Sequence, residues 1–499
     1  MNSVRRATRL WIIAAGLALL AAAGSLLRFT PTFVLWRGLN IPAAAADPAL
    51  NRAGEVLLQL RHPLSYQATA NNRVIQWRLL FPALGHALRL PDGAYLALPG
   101  IGCLLVLTLI AALLLRHGFT VIQALAATLI SATCSWFFVS SAWLAYFDSW
   151  YVLGLLVTVF AGPGALVAAA LATPWIDERY VLTLPLCLVL RDCYRESTGA
   201  AEPGRGRWRD AALAAGALLP WLLIRLGAVA LHRDPVTGGY LHAMTPTANG
   251  PFYAVGLWEG LRWAWVAPLT WLAVETRAKR PRSLLVTAVL VLTVGLNLVA
   301  ANDLSRSVSI ALPAVVLALL LLRQLRPGQF SVLLFAVCGL NLLFPAEHVV
   351  SNWTEPISPF PVELDHARHP PPALDPDYYV HAALVYNEQG NPQAALGLLD
   401  AAISLDGQDA AAFANRAVSH YKLGRLAEAR ADADQAVRLQ PHLTEALYNR
   451  GMVRAAQGDW AGALDDVSAA LREAPADWPA RPAAAAEAAL LRAKMTDRR

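Results

Sequence analysis

Long apolar runs separated by short basic stretches make up the first 345 residues, and a repeating pattern of small residues takes over towards the end of the chain. Apolar runs at 10–27, 98–115, 119–144, 211–231, 252–274 and 283–301 are each near or above the roughly 18 residues that an α-helix needs to cross a bilayer. Two shorter runs, 310–322 and 330–345, complete the set. Basic residues punctuate them at Arg5, Arg6 and Arg9, at 191–209, at 276–282 and at 323–326. Placing all four clusters in the cytoplasm satisfies the positive-inside rule and leaves loops 28–97 and 232–251, with everything after residue 345, on the outer side. The segment 150–190 must then cross an odd number of times. One solution is a single helix over 151–171 followed by a re-entrant 181–190. The other is three short passes turning at Gly162-Pro163-Gly164 and at 175–179. The two put Asp177, Glu178 and Arg179 on opposite sides of the membrane.

Composition supports the membrane class. Apolar residues are 56% and charged residues 15% of 499, against about 25% charged in soluble proteins, and mean hydropathy is +0.43. The net charge of +6 follows from topology, so nucleic acid is not an expected partner. Cys103, Cys134, Cys187, Cys193 and Cys338 form no CxxC pair and read as packing residues. The basic start and first apolar run read as a retained helix, because 24–28 (GSLLR) is a poor cleavage site.

The loop 28–97 is long enough to need a reason. Asp47-Pro48 has the form of an N-cap followed by proline at the first helical position, opening a helix to about Leu60. A second helix is expected from Arg73, with Val74, Trp77, Phe81, Leu84 and Leu88 as an apolar stripe broken by Pro82. Both fit helices lying in the membrane interface.

From Pro376 a period of 34 residues appears in three units starting at Pro376, Ala410 and Thr444. It aligns Ala383, Ala417 and Gly451, then Gly390, Gly424 and Gly458, then Ala395, Ala429 and Ala463, then Ala402, Ala436 and Ala470. This pattern is identified as that of tetratricopeptide repeats (TPRs). The small residues lie where paired helices cross, and the mid-unit glycine ends the first helix. Residues 478–495 read as a capping helix. With eight basic against fourteen acidic residues the array over 376–477 is acidic, which disfavours nucleic acid and anionic lipid. Its first helices offer His381, Asn415, Tyr421, Lys422, Tyr448 and Asn449 to a protein or peptide; architectural packing is the plainer use of the array. Between the halves, 346–375 reads as a stiff proline-rich linker. His366, His369 and Asp365 within it lack a rigid frame, and no metal site is expected.

No phosphate-binding glycine loop, HExxH or GxSxG motif occurs in a usable context. One helix, a long outer loop with two interfacial helices and then many short-linked helices resembles the GT-C superfamily of polyprenyl-phosphate-sugar glycosyltransferases. Phe147-Asp148-Ser149 is similar to the passage that carries an Asp in the second outer loop of those enzymes. The segment 168–190, with Asp177-Glu178-Arg179 followed by Leu184-Pro185-Leu186, is similar to another of their conserved passages. Fusion to TPRs is also a theme of that family. The resemblance implies a lipid-linked sugar donor, a polyprenyl-phosphate sugar, with no other cofactor.

Such chemistry needs a carboxylate as general base and cations for the departing phosphate. Asp47, Glu55 and Asp148 are the candidate catalytic carboxylates. Arg73, Arg78, Asp177, Glu178 and Arg179 are the candidate substrate-binding residues. Plainer roles stand beside them: an N-cap for Asp47, a solvated face for Glu55 and headgroup anchors for the arginines. The expected architecture is all-α: a polytopic transmembrane bundle of about 8–10 helices over 1–345, the linker, three TPRs over 376–477 and a cap and tail over 478–499. The expected setting is a bacterial inner (cytoplasmic) membrane with the lipid bilayer as a partner and the TPRs in the periplasm. Two functions fit this reading: a GT-C-like glycosyltransferase whose TPRs engage a protein partner, or a non-catalytic membrane-anchored scaffold or assembly factor for envelope or polysaccharide machinery.

Overall fold

The structure, a computed structural model, describes residues 2–30, 52–64, 76–142, 146–199, 206–230, 250–280, 282–299, 303–325, 327–350, 353–368, 376–388, 392–475, 478 and 480–496. Apart from one two-stranded hairpin, the regular elements among them are helices. They form two compact units, one ending with residue 368 and one holding the repeats.

Among the described residues of the first unit, five helices are long and apolar enough to cross a membrane: Arg5–Arg28, Asp92–Arg116, Arg207–Ala228, Arg282–Val299 and Leu304–Gln324. The last is the core of the bundle, with every residue from 311 to 322 buried. It can be apolar on all faces because other helices cover all of them.

Several expected spans are broken. The run 119–144 divides into Val121–Ala132 and a second helix from Ser135, bent by 72°. Thr133 Oγ1 and Cys134 Sγ both donate back to the Ile130 carbonyl, at 2.8 and 3.3 Å, and such side-chain competition for the backbone bends a helix. The run 252–274 breaks at Arg262, which takes a left-handed φ of 55°. Its buried guanidinium turns inward to donate to the Phe344 and Pro345 carbonyls at 2.6 and 3.0 Å, which end the preceding-to-hairpin helix Pro327–Leu343. Of the two arrangements for 150–190, the structure has the three-helix one: Asp148–Phe160, Pro163–Ala172 continued by a 3₁₀ turn to Trp175, and Arg179–Ser197.

The first long loop is shorter than its expected 28–97, because the next helix begins at Asp92, directly after Pro91. Within it the first helix is Arg52–Arg61, and Asp47 lies outside the described residues. The second helix begins at Leu80 and not at Arg73. Pro82 therefore sits in the first turn, where its missing N–H is no loss, and it starts the helix where the sequence pattern had it interrupt one.

The linker expected over 346–375 is also corrected. Residues Ala346–Val350 pair antiparallel with Trp353–Ile357, followed by a helix Phe360–Arg368. Proline content had suggested an extended spacer, but Pro356 is on a strand with a free side and Pro361 is in a first helical turn, both positions that tolerate it. Residues 369–375, with Pro370-Pro371-Pro372, lie outside the described set.

The second unit stacks the helix pairs Pro376–Glu388 with Pro392–Leu405, Ala410–Lys422 with Leu426–Leu439, and Thr444–Ala456 with Trp460–Glu473, closed by Arg481–Thr496. Ala383, Ala395, Ala402, Ala417, Ala429, Ala436, Ala463 and Ala470 are all fully buried, which is the reason for their size. Gly424 and Gly458 have φ of 74° and 82°. At Gly424 the N–H bonds the Tyr421 carbonyl while Arg425 N–H bonds that of His420, the paired bonds of a helix C-cap that needs a left-handed residue. A second 34-residue periodicity is ionic. Arg416 grips Asp432 with two bonds of 2.8 and 2.7 Å, and Arg450 grips Asp466 with two of 2.8 and 2.6 Å, tying the two helices of a repeat together in each case.

Candidate functional site

Charged side chains inside the first unit collect at the starts of three helices. Asp148 is the first residue of Asp148–Phe160 and is buried. Asp177 and Glu178 lie in the turn before Arg179–Ser197. Arg179 Nη2 bridges the two aspartates, 2.8 Å from Asp148 Oδ1 and 2.7 Å from Asp177 Oδ2, and its Nε lies 2.8 Å from Asp177 Oδ1. Arg78 approaches from the segment before the Leu80 helix, 3.3 Å from Asp177 and 3.2 Å from Glu178. Five of the eight catalytic and substrate-binding candidates, Asp148, Asp177, Glu178, Arg179 and Arg78, are thus one network. Burial alone would push the Asp177 carboxyl up, but Arg179 and Arg78 hold it well below the usual carboxylate range.

Of the remaining three, Asp47 and Arg73 fall outside the described residues, and Glu55 belongs to the Arg52–Arg61 helix with its side chain outside them.

The network extends to three residues that sequence reasoning missed. Asp303 caps the short helix Leu304–Ser307 by accepting the Arg306 N–H. Arg306 reaches towards both Asp148, at 3.5 Å, and Asp303, at 3.4 Å, under the ring of Tyr146. His348, from the hairpin, lies 3.4 Å from Asp303 through Nε2 and 3.0 Å from Ser305 Oγ through Nδ1. Burial raises the Asp303 carboxyl, yet His348 and Arg306 bring it down to about 2. A polar interruption, Asn302 to Ser309, between two apolar runs was the available signal. Close packing seats this segment: a Cβ on Gly260 would run into Ser305 O and Val308.

The basic clusters gather at the opposite helix ends. The Arg179 helix runs from the network to Arg191 and Arg195, which share Asp210. Arg282 pairs with Glu196 and Glu275, Arg207 with Asp192, and Arg323 bonds the His117 carbonyl at the end of the Asp92–Arg116 helix. One end of the bundle is therefore rich in arginine, while the other holds a buried set of both signs.

In the repeats, Asn415 and Asn449 use their amides on backbone carbonyls, Ala411 and Ala414 respectively. Lys422 donates to the Asn387 carbonyl at 2.6 Å. Tyr448 packs edge-on against Trp478 of the capping segment, and Tyr421 is half-buried. Lys422, Tyr448 and Asn449 thus take part in holding the array together, while Asn415 bonds within its own helix. The side chain of His381 is outside the described set.

The tetratricopeptide-repeat family model matches residues 380–443 and again 414–477, an offset equal to the period seen in the sequence. The C-terminal segment carries TPRs, a module of protein–protein interaction whose stacked helices build an extended binding surface. Among solved structures, the first TPR domain of human RPAP3 is 22% identical over 24% of this chain and 93% of that one, with a TM-score of 0.23. The first TPR of Spaghetti (RPAP3) bound to the HSP90 peptide SRMEEVD is likewise 22% identical, covering 25% and 98%, with a TM-score of 0.23. The TPR2AB domain of yeast Sti1 in complex with pHSP90 is 13% identical, covering 62% and 91%, at 0.20. No curated protein matches the chain.

Proposed function

We propose that this is a polytopic membrane protein whose helical half binds the phosphate of a lipid-linked sugar at the outer, periplasmic face and transfers the sugar, as a GT-C-like glycosyltransferase, while its TPRs engage a protein or peptide partner. The observation that carries this reading is the buried network of Asp148, Asp177, Arg179 and Arg306 at the bundle end opposite the basic clusters. Charges buried among apolar helices are costly and mark function when they meet at one place. The positive-inside rule puts the arginine-rich end in the cytoplasm and hence this network outside. Asp148 is the carboxylate best placed to receive an acceptor proton, and the arginines to face the departing phosphate. The second reading, a non-catalytic scaffold, is favoured by one observation: Arg179 already has its Nε and Nη2 on Asp148 and Asp177, with Nη1 directed to Ser307 Oγ.

Two measurements test these readings. A cysteine replacing Glu178 in a cysteine-free background should react with a membrane-impermeant thiol reagent in intact cells. Labelling only after lysis, with a Thr237→Cys control labelled in intact cells, contradicts the outward site. In proteoliposomes, transfer of radiolabelled sugar from a polyprenyl-phosphate sugar to endogenous acceptor should fall by about 10²-fold or more in Asp148→Asn. Transfer unaffected by that change removes Asp148 as the base, and no transfer above protein-free liposomes leaves the scaffold reading standing.

A further inference from the structure

Arg306 is the loosely held cation of the network. Its Nη1 and Nε stand at ion-pair distance from Asp148 Oδ2 and Asp303 Oδ2, yet both nitrogens are buried without a hydrogen-bond partner among the described residues. Buried N–H groups without acceptors are costly to keep, and a polar site that keeps them is shaped for an acceptor it receives from elsewhere. Arg179, by contrast, has its Nε and Nη2 on carboxylate oxygens.

What holds Arg306 back is competition at one atom. Asp303 Oδ2 faces both Arg306 Nε and His348 Nε2, each at 3.4 Å. The other ring nitrogen of His348 meets Ser305 Oγ, which also accepts the Val349 N–H at 3.1 Å and touches Ser135 Oγ at 3.2 Å. Among the described side chains, the elements against the hairpin also present Glu259, which accepts the Glu347 N–H at 3.0 Å; Glu355 is the register partner of His348 on the second strand. Three arginines (Arg78, Arg179 and Arg306) face four carboxylates (Asp148, Asp177, Glu178 and Asp303), so the set is one positive charge short until His348 is protonated.

We propose that Arg306 binds an oxygen of an anionic phosphodiester and that His348 is its positioning residue: a protonated imidazole takes over Asp303 and releases Arg306 to the ligand. The inference rests on the reading of this network as a phosphate site. Binding then takes up a proton, so affinity falls as pH rises.

The test uses the full chain in phosphatidylcholine nanodiscs with farnesyl methyl phosphate, a phosphodiester whose charge stays at −1 throughout the range. The wild type should bind about fivefold or more weakly at about pH 8.5 than at about pH 5.5. His348→Gln should flatten that profile, and Asp303→Asn should flatten it too while raising affinity at high pH, a gain that a purely structural role does not produce. Arg306→Gln should lose binding at both pH values, with thermal unfolding in the same nanodiscs confirming that each variant is folded.

Competition by dimethyl phosphate marks a free phosphodiester as sufficient, and competition by phosphatidylglycerol alone marks a lipid headgroup as the ligand. Either result supports the proposal, and competition by neither overturns it. Wild-type binding with a pH slope that survives in folded His348→Gln, or binding retained in folded Arg306→Gln, overturns this inference and leaves the phosphate-site reading intact. Failure of the wild type to bind at any pH overturns both.

Discussion

Replacing Arg179 with methionine should be among the most damaging single changes in the helical unit, at about 3–5 kcal/mol. Methionine matches much of the volume but leaves Asp148 and Asp177, both buried, without the guanidinium that bridges them. The check is thermal unfolding of the purified protein beside Arg179→Lys. Lysine keeps the charge but cannot span both oxygens of Asp177 and one of Asp148 at once, so it should fall between the two. A melting temperature unchanged in Arg179→Met would contradict the network as a stabilising element.

In the repeats, Asp466→Ala should cost about 3 kcal/mol, because one carboxylate serves two arginines. Arg450 holds it with two bonds, and Arg454 Nη1 lies 2.9 Å from it. Hydrogen exchange on the full chain reads this directly: Thr444–Ala456 and Trp460–Glu473 should lose protection while Asp92–Arg116 keeps it. Equal protection in variant and wild type would reduce the Arg–Asp pairs to surface ornament.

The repeats were legible because their signal is redundant: small residues and glycines recur at one spacing, and each has a geometric reason to be small or left-handed. The ionic pairs recur at the same spacing but were invisible, since Arg416, Asp432, Arg450 and Asp466 look like any solvated helix face until the partner helix is folded against them. In the helical unit, Asp148 and the Asp177–Arg179 turn stood out because charge amid apolar sequence is expensive. Arg306 did not, lying at the edge of an apolar run where a cation looks like a boundary. His348 was hidden by neighbouring prolines, which read as an extended spacer although two of them occupy strand and first-turn positions. The broken spans were missed for a related reason. Hydropathy averages over Thr133-Cys134 and Arg262, whereas the bends there depend on single side chains finding particular carbonyls.

The network is also assembled from segments far apart in the order of synthesis. Chains emerge from the ribosome amino end first. Asp148 therefore waits only 31 residues for Arg179, a local closure between neighbouring helices. Arg306 and its companion Asp303 arrive much later, and His348 last of the network, on a hairpin made after every helix up to Leu343. The nascent bundle thus passes through a stage with Asp303 and Arg306 in place and no imidazole between hairpin and helix. The hairpin is a late clasp of the unit, and only the helix Phe360–Arg368 is made after it before the chain turns to the repeats.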